Sequence, residues 1–523
     1  MNLKNTLASI GFTRDLPFFL MIVGLAVALR FYNLTGASIW SDEAFSLLFV
    51  TYSYSDIWVL STVDVHPPLY YFILRAVMQG AGSDSLIWMR GFSAVVGVLN
   101  VILGMVLARL ISTRRASLIA GLFLALLPIA VRYSQDVRMY ALMGLLLTAA
   151  TIALVCWVRD SARTGYLVIY VLLMGAGFYT HYFAVFCALS HWLYIVFLQF
   201  RKPGVNSYIS APAWWLANIA IALLFAPWLP SFINQTHNTW AIGWISEVTW
   251  YSLPSAIWRF LILEDAKDYQ SVVYWMLPVV CWISGLAVLF NDKSKWSSQV
   301  LIAVCFFVPV LGGVLISLVK PLFVERYLFF SAVMLAVVMA VAVDKIKNAV
   351  LFVVSAMVFL SVEIFGLMNF YWGETTMNNP SRVQVDKMNE LMLEYEQGRR
   401  PGDAIIVYDP YIFYAAIYYD KGRSRVLLYT PPTSDGRSGR PNGKGFSMPM
   451  DKYPESTYVD SFEGLIPPTR RVWWIANFEQ AQRSAIRFPR NWRSVHQERK
   501  GDQILELYVI CEANPITDVE VCE

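Results

Sequence analysis

The chain has 523 residues, of which 57% are hydrophobic and only 15% are charged, and its formal net charge is +4. Because soluble globular proteins carry about 25% charged residues, this composition excludes an ordinary soluble enzyme and indicates a membrane protein. The small net charge gives no support to nucleic-acid binding. Charge is concentrated at one end, since 40 of the 78 charged residues lie from Trp372 onward. We therefore predict a membrane domain over residues 1–370, a linker over 371–398 and a soluble α/β domain over 399–523.

Eleven apolar runs, two of them short, approach the roughly 20 residues needed to cross the hydrocarbon core. They are predicted near 16–35, 91–111, 117–131, 139–158, 166–179, 183–200, 213–230, 271–290, 299–319, 327–343 and 348–370. The first run could be mistaken for a signal peptide, but it is too long and follows Lys4 and Arg14, so it is expected to be retained. The apolar segment 69–79 is too short to span and predicts a helix at the membrane interface.

Basic residues occupy the loops on one side of the predicted bundle. They are Arg114, Arg115, Arg159, Arg163, Arg201, Lys202, Lys293, Lys295, Lys345 and Lys347. By the positive-inside rule this side and the N-terminus are cytoplasmic, so eleven spans place the C-terminal domain in the periplasm or outside the cell. The acids gather on the opposite, outer face: Asp42, Glu43, Asp64, Asp136, Glu264, Asp265 and Glu325. We interpret the outer face of this multi-pass membrane protein as its working face.

The first polar segment of the outer face is SDEAFSLL, in which Asp42 and Glu43 follow the first apolar run. Simple solvation of two acids is the alternative interpretation. The next segment, STVDVHPPLYYFILRAV, weakens that alternative. Its two prolines suit the first turn of a helix, where the missing N–H costs nothing, and they fix where Asp64 and His66 project, just before Tyr70.

The segment PIAVRYSQDVRMYALMGLLL adds Arg132, Asp136 and Arg138 at the outer ends of spans. Arg132 and Asp136 are four residues apart, so a plain ion pair along one helix face is the alternative to a functional role. Placing a charge at membrane depth costs about 2.5–3.5 kcal/mol even on the lenient insertion scale. A purely structural pair does not obviously repay that cost, which favours a role in binding or catalysis.

The segment SLVKPLFVERYLFFSAV carries Lys320 and Arg326 around a short outer loop. Both cations suit a phosphate at the lipid surface, Arg326 through its planar guanidinium. The alternative is that both anchor the chain at the headgroups. His181, in THYF, lies at the outer end of another predicted span. Packing in an aromatic belt at the membrane interface explains this position as well as substrate binding does.

Five motifs in this order, SDEAFSLL, HPPLYY, YSQDVRMYAL, THYF and ERYL, resemble the protein O-mannosyltransferase-like branch of the membrane glycosyltransferase C (GT-C) superfamily. The bacterial lipid A aminoarabinose transferase belongs to the same broad group. The resemblance covers residues 1–370 and implies a polytopic helical enzyme of the inner membrane that takes a sugar from a polyprenyl-phosphate-linked donor, with an active site on the periplasmic or external face.

The resemblance also implies roles for individual residues. Asp42 matches the catalytic base, Glu43 the adjacent acid, and Asp136 an acid that is often Glu in related sequences, so the reach of the shorter side chain is in question. Arg138 and Arg326 match basic positions that face the donor phosphate. Lys320 and Arg132 join them by their position, and Asp64, His66, Tyr70 and His181 are predicted to contact substrate.

A carboxylate base on an acceptor hydroxyl, combined with a phosphate leaving group that cations stabilise, predicts inversion at the anomeric carbon. The acceptor is left open among a lipid, a glycan and a protein. No cofactor is required by the motifs. A divalent metal on Asp42, His66 and Asp136 is an open alternative, although their spacing matches no closed zinc site.

Three other functions compete with this interpretation. A lipid-linked glycan flippase would place charges along the interior of its spans, whereas only Glu363 lies there. An oligosaccharide or polysaccharide ligase would share the fold and most of the site, and a non-catalytic scaffold leaves Asp42 and Asp136 unexplained.

In the C-terminal domain, AIIVY, RVLLY, RVWWIA and ILELYVI predict strands and PYIFYAAIYYD a helix. Cys156, Cys187, Cys281 and Cys305 lie within spans and are expected to pack as small apolar side chains. Cys511 and Cys522 predict a disulfide in an oxidising compartment, with two free thiols as the alternative.

Overall fold

The computed structural model describes residues 15–201, 208–237, 243–264, 271–292, 296–372, 387–433, 435–441, 445–450, 457–463, 465–479, 486–513 and 520–521. The chain groups into two units, described separately below. Residues 1–34 and 65–373 form the membrane unit, and residues 35–64 and 374–523 form the sheet unit. The sequence had assigned residues 35–64 to the membrane domain. Lys4, Arg14, Lys202, Asp265, Lys293, Lys295 and Cys522 lie outside the described residues.

The helices are numbered in chain order. They are α1 (Leu16–Phe31), α2 (Ser41–Phe49), α3 (Tyr54–Ser61), α4 (Leu69–Ala81), α5 (Leu86–Ile111), α6 (Arg114–Leu126), α7 (Pro128–Ser134), α8 (Tyr140–Arg159), α9 (Gly165–Thr180), α10 (Ala184–Arg201), α11 (Pro212–Phe225), α12 (Leu229–His237), α13 (Ser252–Leu261), α14 (Ser271–Phe290), α15 (Ser298–Ser317), α16 (Phe329–Asp344), α17 (Ala349–Trp372), α18 (Met388–Gly398) and α19 (Pro410–Asp420). A 3₁₀ turn, Glu325–Leu328, precedes α16.

The membrane unit is a bundle of apolar helices. By length and composition, eight helices among the described residues could cross a membrane, or nine if α6 and α7 count as one bent span. The helices α1 and α9 are apolar but shorter. The predicted polytopic helical fold is therefore confirmed, whereas the count of eleven spans is not. The segment 69–79, predicted as a short helix, forms α4.

The span predicted over 117–131 is not continuous. It breaks between α6 and α7, whose axes are bent by 58°. Pro128 begins α7, and a proline ring cannot donate a hydrogen bond to the preceding turn and clashes with it. The break turns α7 aside and ends it at Ser134, so that residues 135–139 connect α7 to α8 outside regular helix.

At the ends of the helices that carry the predicted cytoplasmic loops, basic residues are paired. Arg114 forms an ion pair with Asp15, and Arg115 Nε donates to Asp344 Oδ1 at 2.6 Å. Thr113 Oγ1 donates to the other oxygen of Asp344 at 2.7 Å. These contacts fasten α1, α6 and α16 to one another at this end, so part of the basic charge counted in the loops serves the packing of helices.

The sheet unit contains a six-stranded sheet of order β3-β2-β1-β4-β6-β5. Its strands are β1 (Ala404–Val407), β2 (Arg425–Tyr429), β3 (Tyr458–Val459), β4 (Arg471–Asn477), β5 (Trp492–Lys500) and β6 (Gln503–Ile510), and a separate pair is formed by β7 (Glu512–Ala513) and β8 (Glu520–Val521). The first four of the six, in the order β3-β2-β1-β4, pair in parallel, and β6 and β5 add antiparallel strands. The predicted α/β fold is confirmed.

Aromatic side chains form the core on one face of this sheet. Phe462 stacks on Tyr429 with ring centroids 4.3 Å apart and on Phe488 at 5.3 Å. Trp474 of β4 meets the edge of Phe488 at 5.2 Å. Cys511, just after β6, is disulfide-bonded, whereas the four cysteines of the membrane unit are free, as expected.

A first prediction concerns the close contact between α17 and α13. A Cβ on Gly366 would clash with the Leu261 carbonyl oxygen and lie 2.6 Å from Pro128 Cγ and 2.9 Å from Ile262 Cα. Because backbone atoms cannot give way cheaply, we expect Gly366→Ala to destabilise the bundle by about 1–3 kcal/mol. Thermal unfolding in detergent would measure this as a lower Tm.

The matched control is Gly24→Ala in α1, where an added Cβ meets nothing within 4 Å. Alanine is the better helix former, so its Tm should stay the same or rise slightly. Equal Tm values for the two variants would contradict the close packing of α17 on α13.

Candidate active site

The break at Pro128 delivers three charged residues to one end of the membrane unit. Arg132, Asp136 and Arg138 are each at most 3% exposed. Arg132 Nη1 lies 3.9 Å from Asp136 Oδ2, so the predicted i,i+4 pair exists. This pair gives Arg132 and Asp136 a structural role, since buried charges are costly unless they are paired.

Arg138 belongs to a cluster of histidines and tyrosines. Its Nη2 donates to His66 Nε2 at 3.5 Å, and the His66 ring lies 5.8 Å from the His181 ring. The His181 ring also lies 4.8 Å from Tyr327 and 6.1 Å from Tyr140. The segments that follow or precede α4, α8, α9 and α16 therefore meet here, and we call these five residues the histidine cluster.

Arg326 stands beside this cluster in the 3₁₀ turn before α16. Its guanidinium lies 4.9 Å from the ring of Trp244 and 5.7 Å from that of Tyr327. The neighbouring Glu325 forms an ion pair with Arg259 of α13. Arg259 was missed by the sequence analysis. The sequence of α13 alternates polar and apolar residues at helical spacing. This pattern places Arg259 on the polar face of the helix, but it does not identify Glu325 as its partner.

His181 is neutral in this environment. Burial, followed by the nearby His66, Arg138 and Arg326, lowers the pKa of His181 well below its usual value. Its Nδ1 accepts a hydrogen bond from the Phe183 backbone N–H at 3.2 Å, which assigns the remaining proton to Nε2. Burial and these neighbouring groups therefore disfavour a positive charge on His181.

Two further predicted site residues belong to the membrane unit. Lys320 Nζ donates to the Thr236 carbonyl at 2.6 Å, at the end of α12. Tyr70 is buried in α4, and its ring lies 5.8 Å from that of Tyr71 and 6.5 Å from that of Phe92. These contacts give no support to phosphate binding by Lys320 or substrate binding by Tyr70, both of which stay predictions.

The remaining predicted acids belong to the sheet unit. Asp42 and Glu43 occupy the first turn of α2, where the helix dipole favours negative charge. Glu43 is buried at 1% exposure, whereas Asp42 is only half-buried. Asp64 is buried shortly after α3. Of the adjacent pair, Asp42 is thus the carboxylate that a group arriving from water can reach.

The C-terminal residues hold the acidic segment in place. Phe45 of α2 packs against Tyr414 at 6.1 Å and Phe446 at 5.6 Å. The Ile39 N–H donates to the Tyr419 hydroxyl at 3.1 Å, and the Gly445 N–H donates to the Val63 carbonyl at 2.9 Å. One end of the segment 35–64 is therefore hydrogen-bonded to α19, and the other end is hydrogen-bonded to Gly445, just before Phe446. No local sequence pattern predicts these contacts.

Among the residues that the structure describes, no group of three or more His, Cys, Asp or Glu side chains could hold a metal ion. Metal use stays a prediction, and no step below depends on it.

Comparisons with known proteins agree with this geometry. Residues 65–230, which include His66, Arg138 and His181, match the family model described as dolichyl-phosphate-mannose-protein mannosyltransferase. The structure is similar to that of ArnT from Cupriavidus metallidurans in the apo state, with a TM-score of 0.63 at 12% identity over 95% of this chain and 98% of ArnT. The chain has the GT-C glycosyltransferase fold. The resemblance predicted from the five motifs is confirmed at the level of the fold.

Two further GT-C structures are similar and were solved with lipid phosphates. ArnT from Cupriavidus metallidurans bound to undecaprenyl phosphate gives a TM-score of 0.60 at 12% identity, covering 94% of this chain and 98% of that one. The archaeal oligosaccharyltransferase AglB from Archaeoglobus fulgidus, in complex with an inhibitory peptide and a dolichol-phosphate, gives 0.51 at 9% identity, covering 90% and 70%. No curated protein sequence matches the chain.

A second prediction follows from the neutral His181. The unfolded chain takes up a proton on this histidine below its ordinary pKa of about 6.5, whereas the folded protein does so only at much lower pH. The contribution of His181 to the free energy of unfolding is therefore fully present above about pH 6.5, and it is lost as the pH falls below that value. We expect the free energy of unfolding to fall by up to about 1.4 kcal/mol per pH unit between pH 6.5 and 5.5.

The measurement is the Tm of wild type and His181→Gln at pH 7.5 and 5.5, with His496→Gln, on the exposed edge strand β5, as the control. His181→Gln should lose part of the pH dependence and His496→Gln should keep all of it. An unchanged pH dependence in His181→Gln would mean that His181 is protonated in the folded protein.

Proposed function

We propose that the chain transfers a sugar from a polyprenyl-phosphate-linked donor to a hydroxyl group of a lipid, glycan or protein acceptor, on the extracytoplasmic face of the cell membrane. The observation that carries the proposal is the placement of two arginines, Arg138 and Arg326, at the buried histidine cluster at one end of an apolar bundle. A lipid phosphate is an anion that arrives at such a depth together with its own apolar tail.

Arg138 and Arg326 are the proposed phosphate ligands. A guanidinium presents several N–H donors in a plane and forms charge-assisted hydrogen bonds to phosphate oxygens. As the bond between sugar and phosphate breaks, negative charge grows on the phosphate, and fixed cations stabilise that charge without having to reorganise. This makes a general acid unnecessary, because the leaving group needs no proton.

Asp42 is the proposed base. Its carboxylate stays half-exposed at the first turn of α2, so an acceptor hydroxyl can approach it from water, whereas Glu43 beside it is buried. A positioned base that removes the hydroxyl proton as the new C–O bond forms typically contributes 10²–10⁴-fold. Because the acceptor hydroxyl attacks once and no covalent intermediate forms, the configuration at the anomeric carbon is inverted.

The orientation in the membrane is supported by the opposite end of the helices. Arg114, Arg115 and Arg159 lie there, as the positive-inside rule requires of a cytoplasmic side. We accordingly assign the histidine cluster to the extracytoplasmic side.

A third prediction tests the base. Purified protein in lipid nanodiscs, supplied with labelled polyprenyl-phosphate sugars and a cell-envelope extract, should transfer one of the sugars. Asp42→Asn keeps the shape of the side chain but removes the proton acceptor, so its transfer rate should fall by 10²-fold or more. Asp56→Asn, in the first turn of the neighbouring α3, is the matched control and should transfer at the wild-type rate.

Transfer by Asp42→Asn at the wild-type rate would exclude Asp42 as the base. Absence of transfer by wild type with every donor and acceptor fraction would favour the flippase alternative, provided that translocation of the labelled lipid is then seen.

A fourth prediction concerns the phosphate. Arg138→Gln should weaken binding of undecaprenyl phosphate by roughly 10- to 100-fold, since a hydrogen bond to a charged group contributes about 1.5–3 kcal/mol. Titration of the lipid phosphate into nanodiscs would give the Kd. Arg163→Gln, an exposed arginine paired with Asp160 in a loop, should bind as wild type does. Equal loss in both variants would show a general charge effect rather than a site.

A further inference from the structure

The break between α6 and α7 leaves backbone carbonyls without their usual partners. In a continuous helix the Leu124 carbonyl would accept from the N–H of residue 128, but Pro128 has none. The Ala125 carbonyl lies in the same last turn of α6. In an apolar bundle no bulk water is at hand to satisfy such groups, so a substitute donor is needed.

Arg30 supplies the missing donors. It lies near the end of α1 and is completely buried. Its Nη2 donates to the Leu124 carbonyl at 3.0 Å and its Nη1 to the Ala125 carbonyl at 3.1 Å, with a longer bond to Ala26 at 3.4 Å. A single guanidinium thus replaces the hydrogen bonds that the proline and the bend remove. A lysine ammonium, which is a point charge without a planar fork of donors, would replace them less well.

The far end of α7 is tied to the same region of α1. Gln135 Nε2 donates to the Leu29 carbonyl at 2.8 Å and to the Tyr32 carbonyl at 3.2 Å. The last turn of α1 therefore bonds to the chain just before α7 through Arg30 and just after it through Gln135. Asp136 and Arg138 come immediately after Gln135.

A third helix leaves no room for an alternative arrangement. Gly97 of α5 faces this point, and a Cβ there would lie 2.6 Å from Ser134 Cβ and 2.9 Å from Arg30 Nε. The position of α7 is thus determined by Arg30 on one side and by the bare backbone of α5 on the other.

We propose that Arg30 is a positioning residue for sugar transfer: it fixes the bend at Pro128 and thereby the places of Asp136 and Arg138 in the histidine-cluster region. This inference rests on the proposed function for its catalytic consequence. Its structural part, that Arg30 holds residues 128–138, stands on the hydrogen bonds alone and is measured without turnover.

The test compares Arg30→Met, Arg30→Lys and the double variant Arg30→Met/Pro128→Ala with wild type in nanodiscs. Hydrogen exchange of peptides covering 128–138 is measured first. Arg30→Met should exchange at least tenfold faster there, and Arg30→Lys should lie between it and wild type. Arg471→Met is the control, because Arg471 is a buried arginine of the sheet unit that donates to a backbone carbonyl, that of Gly398, at 2.7 Å. It should leave exchange over 128–138 unchanged.

Stability and transfer are then separated by the double variant. Pro128→Ala returns an N–H that can bond to the Leu124 carbonyl, so the double variant should regain the Tm lost in Arg30→Met. In this variant the helix continues through residue 128, so α7 is no longer bent away from α6. Transfer should therefore stay at least tenfold below wild type, with a lower kcat and a higher Kd for undecaprenyl phosphate.

Two results would overturn the proposal: wild-type exchange over 128–138 in Arg30→Met, or recovery of transfer together with Tm in the double variant. The first denies that Arg30 holds the segment, and the second reduces it to a stabilising residue. If wild type itself transfers no sugar, the proposed function fails, and the exchange and lipid-phosphate measurements still decide whether Arg30 positions the segment.

Discussion

One constraint dominates the membrane unit: a backbone that leaves helical geometry inside an apolar bundle must find hydrogen-bond partners within the protein. The chain leaves helical geometry at Pro128, and Arg30 supplies the partners. The bend allows the polar residues after α7 to enter the end of the bundle. A straight span would have filled this space with apolar side chains. Arg132, Asp136 and Arg138 are buried there because the helix that would have carried them onward was stopped.

Charged residues gather at this end of the membrane unit. Arg132 faces Asp136, and Arg259 pairs with Glu325. At His181, burial and then the nearby His66, Arg138 and Arg326 all act in one direction and lower its pKa. A buried region that carries guanidinium groups discriminates among ligands by charge before it does so by shape, and it suits a phosphate whose lipid tail already lies in the membrane.

Sequence predicted what local patterns encode. Apolar runs located the helices, and the strands β1, β2, β4 and β6 were found because their residues are apolar and β-branched or aromatic. The strand β5 was missed because its sequence, WRSVHQERK, is polar and lies exposed at the sheet edge. The motifs named His66, Arg138, His181 and Arg326, which the structure brings together, but they could not name Arg30 or Arg259, whose importance lies in contacts with residues 66 to 95 positions away.

The segment 35–64 shows most clearly what sequence alone cannot give. It is short, lies between two parts of the membrane unit, and carries the acids that the motifs single out. Its partners, Tyr414, Tyr419 and Phe446, come more than 350 residues later. The C-terminal α/β fold is therefore more than an appended module: its helix α19 provides the surface on which α2 rests, so the position of Asp42 depends on the folding of a domain that contains none of the recognised motifs.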